Sequence, residues 1–340
     1  MSYKLSYFNS FQKDDWNKIL GQMEGNQNFY LWHVIKYYSQ FSNIINLSFA
    51  LFEGKKCIAM VALGVLKSKK EFVFSSQFCP EPILCGGINN YSRKKILTNI
   101  RQQILDIGKK YGITKYKLFS HPIRYKKNIP HLSSENQFYN LKWSKEFFVH
   151  NTVIIDLKTK EEDIWNNFSK YHKKNIKKAS KIKFKFYTID SKSEKKTITS
   201  KFSNFKKAHY LSAGKKTRPD STWDIMNKMI LDGDGILFTL NYKNQDISFL
   251  YCGVFNKFAW GWSQANLEEF EKDLMPRHLL EWSVIKKLKK MKFKFYEIGE
   301  RFYEYKNFLP SNKEISISDF KEKFGGKFYP KVSFISEFNN

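Results

Sequence analysis

Alternating strand and helix patterns predict an α/β or α+β fold built as two similar halves. Three observations carry this expectation. Period-two apolar alternation and helical periodicity take turns along nearly the whole chain. The order meander, helix, strand occurs twice, once before about residue 150 and once after it, with negligible identity between the copies. Finally, 340 residues with 42% hydrophobic content suffice to bury two cores.

In the first half, Ile44–Glu53 and Cys57–Leu66 read as a hairpin turning at Glu53-Gly54-Lys55-Lys56. Glu71–Ser76 continues the sheet until Pro80, Pro82, Gly86 and Gly87 interrupt it. Ser92 is placed to cap a helix reaching about Lys110, with Ile96, Ile100, Ile104 and Ile107 on one face. Tyr111-Gly112 stops that helix, Ile113–Phe119 is a strand, and Ser120–Ser144 reads as an irregular link. In the second half, Thr152–Leu157 is a strand and Glu161–Ile182 a long basic helix with its acids first, as the helix dipole prefers. Phe184–Thr188 is a strand, followed by helices near Lys195–Ser212 and Ser221–Leu231. Gly235–Tyr242, Asp246–Phe255 and Phe258–Ser263 form the meander, Pro276–Met291 the helix and Phe293–Ile298 the strand. The tail Phe320–Phe334 ends in a strand that returns to the first half.

The net charge of +27 accompanies abundant Lys, Asn, Ile and Phe, a composition that an AT-rich genome produces without selection. About half of the excess nevertheless falls between Lys158 and Arg218. Either the charge is compositional, or it faces a polyanion such as tRNA, a nucleotide-linked sugar or an anionic membrane. No run approaches the roughly 18–20 apolar residues of a membrane span, and the N-terminus lacks the apolar core of a signal peptide. Four cysteines without Cys-x-x-Cys pairing suit a reducing compartment, so a cytoplasmic location is expected, with peripheral contact at the inner membrane face as an extension. There is no P-loop, Rossmann fingerprint, His-Glu-x-x-His or Gly-x-Ser-x-Gly, and the seven scattered histidines support no metal site.

Candidate site residues concentrate between Ile247 and Arg301. Phe249, Tyr251, Trp260 and Trp262 make an aromatic sheet face, the setting in which a few converging polar groups form a cleft. Pro276 opens a helix whose first turn carries Arg277 and His278. Cations there oppose the dipole, so they either hold an anion with the free amides or point into water. His278 and Trp282 lie one turn apart, and a packed pair is equally open. Glu297 extends the row Phe293, Phe295 and is costly to bury alone. It either orients and deprotonates an amine or pairs with Arg301 or a lysine. Glu300 closes the same strand, and Glu281 is a third acid. His209-Tyr210 and Arg218-Pro219 meet at a helix junction, where Arg218 is suited to clamp a phosphate. Lys36, one turn after Trp32, is suited to the same task. The lysines of Tyr171–Lys185 either bind RNA or form a solvated face. Cys85, in a Gly-rich loop, is a lesser candidate nucleophile, because no histidine is locally paired with it.

Several of these segments, in order, resemble the FemAB-like branch of the GNAT acyltransferase superfamily over nearly the whole chain. They are Trp32-His-Val-Ile-Lys36, Glu81-Pro82-Ile-Leu, Tyr171-His-Lys-Lys-Asn-Ile-Lys-Lys-Ala179, Arg218 ahead of a helix, His278-Leu-Leu-Glu-Trp282, Tyr296-Glu-Ile-Gly299 and Phe320-Lys-Glu-Lys-Phe-Gly-Gly326. The resemblance implies two tandem GNAT-like domains, each a mixed, mostly antiparallel sheet flanked by helices. They would span residues 1–150, completed by 318–340, and 151–317. It also implies transfer of an acyl or aminoacyl group to an amine on a bacterial cell-envelope precursor. In the peptidoglycan members the donor is aminoacyl-tRNA, and basic residues matching Lys36 and Arg218 hold the phosphates of a nucleotide- or lipid-linked acceptor. Other members, encoded with surface-polysaccharide genes, are held to acylate amino sugars. This chain departs from the peptidoglycan pattern in having Glu81-Pro82 and then Cys85 where Gly-Pro and an acid stand, and it has no long coiled-coil insertion. It also lacks the Arg/Gln-x-x-Gly-x-Gly/Ala turn of acetyl-CoA enzymes.

The expected activity is N-acyl transfer from acyl-CoA (acetyl-CoA) to the amine of a nucleotide- or lipid-linked amino sugar in a surface-glycan precursor, without a metal. Glu297 or Glu300 would take the amine proton, while His278 and Arg277 bind an anionic part of donor or acceptor. Trp260, Trp262 and Tyr210 would line the cleft, with Gln264, Glu281, Trp282, Lys36 and Arg218 also binding substrate. One alternative is an aminoacyl-tRNA-dependent transferase acting on a peptidoglycan precursor, with Lys170–Lys185 as its tRNA contact. Another is a non-catalytic RNA- or membrane-surface-binding protein on the same scaffold.

Overall fold

The computed structural model describes residues 3–41, 44–74, 78–132, 138–304 and 309–338. The chain forms two units, Met1–Val149 with Pro330–Asn340, and His150–Tyr329. Both are mixed α/β with mostly antiparallel strands. The return to the first unit comes later than residue 318. Helix Asn312–Glu322 stays with the second unit because Phe324 is fully buried in that core. Arg301 also ties the helix down through Asp319 (2.8 Å) and Glu322 (2.6 Å).

In the first unit the expected hairpin is split between two sheets. Phe49–Glu53 and Lys56–Val61 pair across the turn at Gly54 (φ +59°) in an antiparallel sheet with Tyr3–Tyr7, Ile83–Cys85 and Met23–Glu24. Their continuations, Ile44–Asn46 and Gly64–Leu66, pair with each other and join Glu71–Val73, Lys115–Ser120 and Lys327–Glu337. The Ser48 hydroxyl, accepting from Leu63 N–H (3.0 Å), holds the point where the two strands change sheet. Gly64 is needed there because a Cβ would lie 2.3 Å from the Val73 carbonyl oxygen. The end of the expected Glu71–Ser76 strand falls outside the described residues. Helix Asn90–Tyr111 buries Ile96, Ile100, Ile104 and Ile107 as the spacing predicts, but its cap is Asn89, whose side chain accepts from Ser92 N–H (2.8 Å). The segment read as an irregular link contains a hairpin, Ile123–Lys126 with Ile129–Leu132, and a 3-10 turn at Phe138–Trp143. All four cysteines are buried and free, and Cys85 lies within a strand rather than a loop.

The second unit is built on one sheet. Lys185–Ile189, Gly235–Tyr242, Gln245–Phe255 and Phe258–Asn266 run antiparallel in sequence. Phe295–Arg301 then adds in parallel to Phe258–Asn266 and antiparallel to Glu146–Asp156. The long basic helix divides into Glu161–Asn166 and Lys170–Ala179, because Ser169 caps a new start by accepting from His172 N–H (3.2 Å). These two helices and Pro276–Lys290 cover one face through Phe168, Ile176, Leu280 and Ile285. Lys195–Ala213 and Asp220–Asp232 cover the other, where Phe205 and Trp223 rings pack 5.5 Å apart. Between the meander and Pro276 the chain forms a short helix, Glu268–Leu274.

Candidate active site

The second unit's sheet opens where its two parallel strands part. Their ladder has three pairs, Phe258 with Phe295, Ala259 with Tyr296 and Trp260 with Glu297. Beyond it the strands continue to Asn266 and Arg301, each paired only with its outer neighbour. Gly261 permits the close approach at the apex, since a Cβ there would sit 3.2 Å from the Tyr296 hydroxyl and 3.3 Å from the Ile298 carbonyl oxygen. A parted strand pair presents unpaired backbone groups that can take an extended ligand, or the oxygen of a carbonyl under attack.

Both sides of the wedge carry a β-bulge. Tyr251 pairs with Ser263 and Cys252 with Gly261, which leaves Trp262 as the extra residue. Trp262 therefore joins Trp260 on the face carrying Tyr251, with the two indoles 5.9 Å apart and both half-buried. On the facing strand Val153 pairs with Gly299 and Ile154 with Glu297, so Ile298 is extra and Gly299 takes φ +148°. The position a Gly299 Cβ would occupy is taken by Lys321, with Nζ 2.2 Å from it. Lys321 comes from helix Asn312–Glu322.

Around this lysine the structure gathers the three predicted acids. Burial pulls the Lys321 ammonium below its ordinary range, and Glu281, Glu300 and Glu297 pull it back up, in that order. Glu281 is buried and accepts from the Tyr296 hydroxyl at 2.6 Å. Burial raises its carboxyl to about 7, against the opposing pull of the Tyr296 bond and of Lys321. Glu297, at the edge of burial, accepts from the Thr152 hydroxyl. Glu300 is more open, and its carboxylate lies 3.5 Å from the His150 ring. Arg301 is committed to Asp319 and Glu322 on the helix that supplies Lys321.

His278 and Arg277 do not project as two solvent-facing cations. His278 is 2% exposed, its ring 4.7 Å from that of His172 and 5.1 Å from that of Phe320. Burial, then His172 and Arg277, lowers it to about 3, while burial first lowers His172 to about 4. Both rings are neutral at physiological pH, and Asn175 Nδ2 meets His278 Nε2 at 3.2 Å. Arg277 stacks on Phe320 (4.1 Å) and lies 3.7 Å from Glu271. These residues buttress Phe320, the neighbour of Lys321. Trp282 packs between Trp165 (5.3 Å) and Phe168 (5.2 Å) in the core.

Arg218 reaches the wedge strand from the opposite layer. Its guanidinium lies over Trp223 (4.8 Å) and donates to Ser263 Oγ at 3.3 Å. His209 Nε2 is also 3.3 Å away and is held at about 4 by burial, then by Arg218. Tyr210 donates to Asp220 (3.1 Å), which Lys206 and Lys216 also hold. Gln264 lies along the wedge strand, with a buried Nε2 that has no hydrogen-bond partner among the described residues. Lys36 belongs to the first unit, with its ammonium over Trp32 (5.1 Å) and Phe8 (5.5 Å). Among the described residues, no group of three or more His, Cys, Asp or Glu is placed to hold a metal ion. No helix among them is long and apolar enough to cross a membrane.

Sequence reasoning assigned no role to Lys321, Tyr296 or Thr152. The available signal was Gly299, a glycine inside a strand pattern, which marks a bulge or a close approach.

No protein-family model matches this sequence, and no curated protein matches it. Solved structures do. FemX superposes with a TM-score of 0.66 at 11% identity, over 98% of this chain and 97% of that one. L-PGS from Bacillus licheniformis gives 0.62 at 11%, over 97% and 93%. A tandem GNAT protein from the clavulanic acid biosynthesis pathway gives 0.54 at 6%, over 100% and 99%. At such identities the likeness is one of fold, and on that ground the chain has the FemAB-like, tandem fold of the GNAT superfamily.

Proposed function

We propose that this chain is an N-acyltransferase, joining an activated acyl or aminoacyl carbonyl to the amine of a cell-envelope precursor. The observation that carries the reading is the parted parallel pair with Lys321 and the acids Glu281, Glu297 and Glu300 at its mouth. The acceptor must lose a proton before its nitrogen attacks, and Glu297 or Glu300 is the group to take it. As the C–N bond forms, negative charge develops on the carbonyl oxygen, which the unpaired strand edges and the Lys321 ammonium can stabilise. The C–S or C–O bond to the donor then breaks, and the leaving group takes up a proton. Trp260 and Trp262 give the acceptor a flat apolar wall, and Arg218 gives that side a cation.

The finer reading is transfer from acyl-CoA to an amino sugar of a nucleotide- or lipid-linked glycan precursor. A specific observation favours aminoacyl-tRNA as a second donor. Helix Glu268–Leu274 puts acids ahead of Pro276 where a phosphate-gripping turn would lie, and the lysines at 170, 174, 177, 178, 181, 183 and 185 are exposed without a neighbouring acid in sequence. Calorimetric titration of acetyl-CoA and CoA into RNase-treated, nucleic-acid-free protein decides between them. Saturable micromolar binding supports the CoA donor. Absence of heat, with product formed only from charged tRNA and lost on RNase treatment, supports the second. Full turnover in both Glu297→Gln and Glu300→Gln would overturn the assignment of the base.

A further inference from the structure

The helix that carries Lys321 is held from outside by two buried histidines. His172 of helix Lys170–Ala179 and His278 of helix Pro276–Lys290 are 1% and 2% exposed, with their rings 4.7 Å apart. Both pack on Phe320, at 4.9 and 5.1 Å, and His172 also packs on Phe324 at 4.4 Å. His172 Nε2 lies 3.0 Å from the Phe320 carbonyl oxygen. That oxygen is one of the last four of helix Asn312–Glu322, for which the α-helical pattern supplies no partner. The residue so held stands immediately before Lys321.

The hydrogen-bond pattern suits two neutral rings and opposes a cation on either. A carbonyl only accepts, so His172 carries its proton on Nε2. Asn175 Nδ2 donates to His278 Nε2 at 3.2 Å, so His278 carries its proton on Nδ1. A second proton on His172 would go to Nδ1, which is buried and has no hydrogen-bond partner among the described residues. On His278 it would go to Nε2 and set donor against donor at Asn175. Burial opposes a charge on either ring, and Arg277 and Lys323 add like charge, against the pull of the Phe320 carbonyl on His172. Tyr171 packs on His172 and His278 at 5.9 and 5.8 Å, and Glu271 of helix Glu268–Leu274 lies 3.7 Å from Arg277. An imidazolium formed here is therefore driven toward water.

We propose that His172, with His278 against it, is a positioning residue for Lys321: the neutral pair holds the end of helix Asn312–Glu322, and protonation of either ring releases that end and withdraws Lys321 from the space left by Gly299. The contacts stand by themselves, whereas their bearing on turnover rests on the transferase reading. Arg301 also ties the helix, through the carboxylates of Asp319 and Glu322. Mild acid reaches imidazoles before carboxylates, so the histidine contacts give way first.

The test is peptide-resolved hydrogen exchange of the full chain at about pH 7.5 and about pH 5, corrected for the intrinsic rate, together with labelling of Lys321 by an amine reagent at the higher pH. A ring freed by opening titrates at about 6.5, so at pH 5 its charged form outweighs the neutral one about thirtyfold. Protection of residues 312–324 should thus fall at least about tenfold at pH 5, while strands Gly235–Tyr242 and Gln245–Phe255 keep theirs. His172→Gln keeps a donor for the Phe320 carbonyl and takes no charge, so it should hold the helix at the higher pH and lose most of the acid response. His172→Phe keeps a ring without the donor, and should raise Lys321 labelling several-fold where His172→Gln stays near wild type. Neither readout needs a substrate, so both succeed or fail apart from the transferase reading, which turnover of the wild type decides. Protection that does not change with pH, an acid response as large in His172→Gln as in wild type, or Lys321 labelling unchanged in His172→Phe would each overturn the proposal.

Discussion

The two units place buried charge in opposite ways. In the first, Glu81 is answered one to one by Arg124, whose side chains are 1% and 10% exposed, with Ser120 taking a further guanidinium bond at 3.0 Å. In the second, Glu281, Glu297 and Glu300 all act on Lys321, and a β-bulge and a glycine make room for its head. A matched pair specifies a structure. Three acids around one ammonium, where a backbone ladder has been opened, share their proton balance in a way that a single matched pair does not.

The sharpest way to break this comparison is to remove one cation from each unit. Arg124→Met strands a buried carboxylate and should cost about 3–5 kcal/mol of stability in the first unit. Lys321→Met should cost much less in chemical denaturation, because Glu281 already tends to hold its proton and Glu300 is open to water, yet turnover should fall about 10²–10³-fold. Equal losses of stability in the two variants would erase the distinction. The next effect is one of pH. Glu281 lies at about 7 when folded, against about 4.5 for an ordinary glutamate. The folded unit therefore retains a proton that the unfolded chain releases first. This contribution, about 3 kcal/mol at most, is fully present below the unfolded value and is lost as pH rises through 7. His172 and His278 work the other way. Their lowered folded values make the unfolded chain the better proton acceptor, so stability falls as pH drops below about 6.5. Wild type minus Glu281→Gln, measured by urea unfolding at pH 5 to 8, should decline across that range, and a flat difference would sink the assignment.

Gly299→Ala should follow, at about 1–3 kcal/mol of backbone strain. Its methyl group displaces Lys321, so its activity should resemble that of Lys321→Met. Retained turnover would mean that the ammonium can act from elsewhere. The smallest effect is expected from Lys174→Glu with Lys177→Glu on the exposed helix face, within about 0.5 kcal/mol of stability. If tRNA is the donor, the salt slope of tRNA binding should shrink in this variant, whereas acetyl-CoA binding should stay unchanged.

Periodicity made the helices and the second-unit meander legible, because Ile96, Ile100, Ile104 and Ile107 or the run Ile236–Leu240 bury by simple geometry. Local spacing also singled out Glu281, Glu297 and Glu300, acids in otherwise apolar segments. It left open whether His278 packs or faces water, because the residue that covers it is remote. The ring of Phe320, 42 positions later, packs on His278 and carries the partly exposed Arg277 guanidinium. The packing of Trp282 was not legible for a similar reason: its aromatic neighbours, Trp165 and Phe168, lie more than a hundred residues earlier.

By itself the sequence determined most of the strand and helix segments, that there are two halves, and that three acids stand in otherwise apolar segments. Those are properties of spacing, and spacing is local. Tertiary structure alone decided that one hairpin feeds two sheets, that the strands after Trp260 and Glu297 part, and that Lys321 enters the space left by Gly299. Each of these depends on contacts between residues far apart in the chain, and no local pattern encodes the distance between them.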